Sequence, residues 1–289
     1  MVLGKSVNSA GYMKQCYLRY CMLLLLCVFG LPRAESVIIV DAVALLQTHE
    51  GNEAKILQQL LSAYPAPYTV EDISRNRARE WVKTADNACI PWLRKTAARE
   101  QDFLFSLPYM AEDALQLVLT AESKWHGALE NLMRQNQQIS LMHLLSSKPS
   151  PLIGIEQNRS YGETLDQLLS QRKNSRSIYT RTTSSQETGS MLPMLQRGFI
   201  DATLEYRKIA LRTDPTLRFY PLFEAQPLNL VHFACSKGER GQRIVKLLNQ
   251  TIAAKSQQAD YQQLVLQGIA EPNRARALQT WLQALTPVP

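Results

Sequence analysis

The sequence lacks the short patterns that announce hydrolytic, metal or redox chemistry. Its 289 residues contain no His-Glu-x-x-His, no Gly-x-Ser-x-Gly and no Cys-x-x-Cys. The four histidines, His49, His126, His143 and His232, are scattered without ligand spacing, so each reads as a surface or partly buried side chain, and no metal or cofactor is expected. Lys5-Ser6 follows Gly4 as at the end of a phosphate loop, but the upstream glycine of that loop is missing. A large excess of either charge is missing as well. The formal net charge is +7, yet Lys5, Lys14, Arg19 and Arg33 all precede Glu35, the first acidic residue. Beyond that point 28 basic residues face 25 acidic ones, an excess too small for a nucleic-acid footprint. Long apolar runs are missing too: Cys21–Phe29 has nine residues, whereas a bilayer span needs roughly 20. With 45% hydrophobic and 20% charged residues, the remainder is ordinary globular sequence, long enough for two modest domains.

What the N-terminus does have is the grammar of export. Lys14 and Arg19 precede the apolar run, and Gly30, Pro32 and Ala34 follow it. A charged segment, a short apolar core and a small residue before the first strand predict a secretory signal over residues 1–34, cleaved after Ala34, with Gly30 as a rival site and Met1 or Met13 as the start. The expected location is periplasmic. Cys16, Cys21 and Cys27 fall within this segment, so two of the five cysteines remain, Cys89 and Cys235. In an oxidising compartment they either pair or lie apart as two buried thiols.

From Val37 the chain alternates strand and helix patterns. Val37-Ile38-Ile39-Val40 is a continuous apolar run of the kind buried on both sheet faces. Ile56, Leu57, Leu60 and Leu61 then recur at helical spacing until Pro65 and Pro67. A short strand and a polar helix are expected within 68–79, and a loop-strand passage across 103–120. The periodicity predicts one long helix from Lys124 to Leu145, with Trp125, Leu129, Leu132 and Met133 on one face. Leu152–Ile155 opens a second strand-helix unit, whose helix carries Tyr161, Leu165, Leu168 and Leu169. Short strands at Ile178-Tyr179, Ile200–Leu204 and Leu228–Ala234, and a helical C-terminal region, complete the pattern. Alternation of this kind implies an α/β protein with a mostly parallel sheet in each unit.

Four segments then match one pattern in order. Lys95-Thr96-Ala97-Ala98-Arg99-Glu100 with Phe105-Ser106-Leu107-Pro108-Tyr109 resembles the T-P-E-R … F-S-x-P-Y signature of the extracellular solute-binding proteins of family 3. The segment from Ile153 to Gly162 is similar to the strand and loop that open the second lobe of those proteins. Leu195-Gln196-Arg197-Gly198-Phe199-Ile200-Asp201-Ala202 resembles their L-x-x-G-x-x-D-A, and Phe233–Gly238 the strand that returns to lobe one. Together the segments span nearly all of residues 37–260.

The resemblance implies a two-lobed periplasmic-binding-protein-like fold of type II with a two-strand hinge. Lobe one would be residues 37–120 plus 224–289 and lobe two 121–223, which places Cys89 and Cys235 in the same lobe. It further implies a monomer that binds a small polar, carboxylate-bearing, amino-acid-like ligand for an ABC-type transporter permease. Arg99 offers a planar fork for a carboxylate and Thr96 a hydroxyl. Arg159, Ser160 and Tyr161 precede a helix N-terminus, a natural place for an anion. Trp92 offers a stacking surface. Where the family places an acid for the ligand's ammonium this chain has Tyr206, with Glu205 beside it, so an ordinary α-amino acid competes with an anionic or amphipathic small molecule. Two other functions stay open: a periplasmic sensor reporting to a membrane partner, and a dehydratase-like enzyme using a carboxylate such as Glu205 as base.

Overall fold

In a computed structural model, residues 36–42, 46, 51–182 and 189–286 are described. The signal segment expected over residues 1–34, with Cys16, Cys21 and Cys27, lies outside the described residues, as does His49. Among the described residues the first elements are β1 (Val37–Val40), α1 (Gly51–Ala63), β2 (Tyr68–Glu71), α2 (Arg75–Thr84) and β3 (Ala88–Arg94). The four-residue α3 (Ala97–Glu100), β4 (Leu104–Phe105) and β5 (Met110–Asp113) follow. A second set comprises β6 (Gln116–Leu119), α4 (His126–Asn136), α5 (Leu141–Ser146), β7 (Ile153–Glu156), α6 (Glu163–Gln171), β8 (Ile178–Arg181), α7 (Leu192–Gln196), β9 (Ala202–Glu205), α8 (Arg207–Thr213) and β10 (Arg218–Pro221). The chain then returns through β11 (Leu228–Cys235) to α9 (Glu239–Ser256), α10 (Ala259–Leu266) and α11 (Arg274–Leu285).

Two sheets result. The first has the order β2-β1-β3-β11-β4 with β5 also on β11; the second runs β10-β6-β9-β7-β8. β1 is parallel to β2 and β3, and β7 is parallel to β8 and β9. Both sheets are nevertheless mixed rather than mostly parallel. The strands leading into and out of the crossings, β6, β10 and β11, pair antiparallel because the chain leaves one sheet and comes back to it. Asp113 pairs with Leu228 in the first sheet and Gln116 with Pro221 in the second, so the crossings are 114–115 and 222–227. The whole of β6 therefore belongs to the second sheet, ahead of residue 120.

Side-chain alternation explains why β1 is apolar throughout. Val37 and Ile39 face α1, where Ile56, Leu57, Leu60 and Leu61 are buried, together with Ile244, Leu248 and Ile252 of α9. Ile38 and Val40 face the other way, onto Ala78 and Val82 of α2. Helices on both faces leave no solvated side on which a polar residue would be favoured. Tyr261 and Trp281 close the larger core, both fully buried, with the Trp281 indole donating to the Pro108 carbonyl at 2.9 Å. Burial of such side chains is worth about 1.5–3 kcal/mol each.

The expected helix over 124–145 is two helices. Gln137 adopts a left-handed conformation (φ 59°) that ends α4, Ile139 bridges to Leu222, and the Ser140 hydroxyl caps α5 by accepting from the His143 N–H. The backbone amides of Leu141 and Met142 donate to the Glu224 carboxylate, so a carboxylate of the second crossing covers the α5 N-terminus. Cys89 and Cys235 are joined by a disulfide between paired positions of β3 and β11. It ties the first-passed strands of this sheet to the returning one across 146 residues of chain.

Candidate functional site

Between the two sheets lies a cavity of about 590 Å³ lined from both sides. Trp92, Arg94 and Arg99 reach it from β3 and α3, Arg75 and Arg79 from α2, and Arg159 and Ser160 from the loop after β7. Tyr206 and Arg212 come from the end of β9 and from α8.

The residues anticipated from the sequence divide into two groups. Trp92, Arg99, Arg159, Ser160 and Tyr206 line the cavity. Thr96, Tyr161 and Glu205 stand behind it, in local structure. The Thr96 hydroxyl caps α3 by accepting the Arg99 N–H at 3.3 Å. Tyr161 is 2% exposed, and its hydroxyl accepts the Glu156 amide N–H at 2.8 Å. Glu205 takes both arms of the Arg159 guanidinium, each at 2.7 Å, and also accepts the Gly189 and Tyr206 amides. This is the planar, two-point pairing for which arginine is suited. The Tyr161 and Tyr206 rings flank the guanidinium at 5.0 and 5.5 Å. Burial acts to push Arg159 down, but the Glu205 carboxylate outweighs it and holds the guanidinium firmly charged.

The other half of the cavity is organised by Arg94 and Arg99. Arg99 donates to the Arg94 carbonyl at 3.0 Å and, across the cleft, to the Asn158 carbonyl at 3.3 Å. Arg79 reaches the same carbonyl at 2.9 Å. Arg94 donates to the Tyr206 hydroxyl and to Gln226 Oε1, both at 3.1 Å. Gly162 makes this reach possible: its φ is +106°, and a Cβ there would lie 3.0 Å from Arg94 Nη1. Burial pushes the Glu112 carboxyl up, against the opposing pull of Tyr206 and Arg94. Trp92 donates its indole N–H to the Asp41 carbonyl at 3.1 Å, and the Asp41 side chain pairs with Arg75. Sequence reading passed over Arg94, Arg79, Asp41 and Glu112. Arg94 directly precedes the Lys95–Glu100 motif, and a strand-end arginine there was the available signal. For the others, only the folded chain brings them to one place.

No family model and no curated protein matches the sequence. Solved structures do. The substrate-binding protein of an amino acid ABC transporter matches with a TM-score of 0.56 and 14% identity, covering 81% of this chain and 99% of that one. An ancestral arginine-binding protein bound to arginine gives a TM-score of 0.59 at 11% identity, over 83% and 100% of the two chains. The arginine 3rd transport system periplasmic binding protein of Legionella pneumophila gives 0.57 at 16%, over 82% and 100%. The fold is that of the type II periplasmic binding proteins. In the type II fold the two sheets are the two lobes, and residues 114–115 and 222–227 are the crossings between them. The arginine-lined cavity lies in the cleft of this type II protein. Among the described residues, no helix is long and apolar enough to cross a membrane.

Proposed function

We propose that the chain is an exported solute-binding protein that closes its lobes over a small polar, carboxylate-bearing molecule and presents it to an ABC-type transporter. The observation that carries this reading is a cleft between two lobes, joined by two crossings, with arginines entering from both sides. Arg99 is assigned to the ligand carboxylate: two of its guanidinium N–H groups meet carbonyl oxygens, one on each lobe, so lobe closure and anion capture share one side chain. The structural neighbours are amino-acid-binding proteins of such transporters, which supports the class of ligand. Export is supported by the basic-apolar-small order of residues 1–34 and by a buried disulfide in lobe one, a bond characteristic of oxidising compartments.

The test is a thermal-shift screen of protein beginning at Glu35 against amino acids, small peptides, carboxylates, polyamines and sugars. A ligand of the folded state raises the melting temperature by mass action. A carboxylate is expected to raise it, and Arg99→Ala to abolish the response. A library in which nothing shifts the melting temperature overturns the reading.

A further inference from the structure

A further cavity, of about 430 Å³, lies beside the arginine-lined cleft, again with walls from both lobes. Lobe one supplies Ile56 of α1, Ala111 of β5, and Val265 and Ile269 around the end of α10; lobe two supplies Ile209 and Leu211 of α8. The two cavities share a border, since Glu53, Met110, Glu112, Tyr206, Ile209 and Arg212 line both. Arg99 is linked to that border by two hydrogen bonds. Its guanidinium donates to the Arg94 carbonyl at 3.0 Å, and the Arg94 guanidinium donates to the Tyr206 hydroxyl at 3.1 Å.

The two spaces differ in character. Guanidinium groups edge the cleft, whereas the surface exposed in the neighbouring cavity is mainly aliphatic. The charged groups around that cavity are turned to each other, to the backbone or to a ring. Glu53 pairs with Lys208 and Arg212, Asp113 accepts the Ala270 amide N–H at 2.6 Å, and the Arg207 guanidinium lies 4.5 Å from the Phe219 ring centre. A pocket of this size with apolar walls and a few polar points is the usual form of a small-molecule site. Covering exposed aliphatic surface is favourable in proportion to the area removed from water. At the border, burial pushes the Glu112 carboxyl up, as in a poorly hydrated place, and a hydrocarbon chain crosses such a place at lower cost than a charged one. We infer that the ligand is amphipathic, with its carboxylate on Arg99 in the cleft and an aliphatic tail in the neighbouring cavity. The carboxylate end rests on the solute-binding reading; the tail rests on the second cavity.

Isothermal titration of the protein beginning at Glu35 with butanoate, hexanoate and octanoate, kept below micelle-forming concentrations, tests this. Burying one methylene is worth up to about fourfold in affinity, so octanoate is expected to bind at least about tenfold more tightly than butanoate, at one site per molecule. Gly268 lines the tail cavity, and a Cβ there would meet the Val265 carbonyl at 3.5 Å and Lys208 Nζ at 3.8 Å, both ordinary contacts. Gly268→Leu is therefore expected to fold, to remove the advantage of octanoate and to leave butanoate binding nearly unchanged. Ala270→Leu, at an exposed position of the same wall, is expected to do the same and serves if Gly268→Leu does not fold. Equal affinity for the three acids, or an octanoate advantage that survives both variants, overturns the tail assignment and leaves the solute-binding reading standing. Equal weakening of butanoate and octanoate by both variants overturns it too, because the substitutions would then act on the cleft as a whole. If none of the three acids binds while another compound of the wider screen does, the tail assignment fails alone. If nothing in either set binds, both fail.

Discussion

Arg159 shows at the level of a single side chain how a ligand candidate and a structural group differ. An arginine before a helix N-terminus is a reasonable anion site, but here its charge is already answered by Glu205, with side-chain exposures of only 8% and 3%. Removing one partner strands a buried charge. Glu205→Gln is expected to lower unfolding stability by about 3 kcal/mol, whereas Arg159→Met combined with Glu205→Leu should recover most of that, as chemical denaturation would measure. His232 makes a second residue-scale prediction. It is buried, bonded to the Ser106 carbonyl at 2.8 Å, and burial holds its pKa below the ordinary 6.5. At falling pH the unfolded chain takes up this proton first, so the stabilising contribution is complete above about 6.5 and is lost as pH drops below it. The melting temperature is expected to fall between pH 7.5 and 5.5, and His232→Gln to flatten that slope.

Among elements, the strands were the more legible. β1 and β7 announced themselves as unbroken apolar runs because each is covered on both faces, and α1 and α6 by their helical spacing. Within β7 a Cβ on Gly154 would lie 2.5 Å from Ile200 Cδ1, so any larger residue there requires the Ile200 side chain to move. The helix expected over 124–145 failed for a reason that periodicity does not carry. Its apolar face is continuous in sequence, but the tertiary bridge of Ile139 to Leu222 interrupts it. β5 was missed because Met-Ala-Glu-Asp alternates nothing and becomes a strand only by pairing with β11. The β3–β11 disulfide gives this level its prediction. Because it closes a long loop, Cys89→Ala with Cys235→Ala is expected to cost about 2–4 kcal/mol of unfolding stability. Both sulfurs belong to fully buried residues, so thiol titration of native protein beginning at Glu35 should be silent with or without prior exposure to mild reductant.

Over the whole molecule, contacts on two sides span the cleft. Arg79 and Arg99 of lobe one meet the Asn158 carbonyl, and Glu53 of α1 meets Lys208 and Arg212 of α8. Burial pushes the Glu53 carboxyl up, but Lys208 and Arg212 prevail and hold it below its ordinary 4.5. Its contribution is therefore present above about pH 4.5 and lost as pH falls through the lower folded value. Glu53→Gln is expected to loosen the lobes at neutral pH, read as a larger radius of gyration in small-angle scattering. In the unaltered protein the same loosening should appear only on acidification.

By itself the sequence determined the alternation of β and α elements, the apolar strands at each sheet centre, and the order of four short segments that resembles a two-lobed binding protein. Those features are local: they depend on side-chain periodicity, and water imposes that wherever an element has a buried face. Only the tertiary structure decided where the chain crosses between lobes, that Cys89 and Cys235 lie on paired strands, and which arginines answer a carboxylate of the protein. Charge pairing joins residues up to 159 positions apart, as Glu53 and Arg212 are, and a linear pattern holds no record of such distances. Arg159 looks available in the sequence; the fold gives both arms of its guanidinium to Glu205.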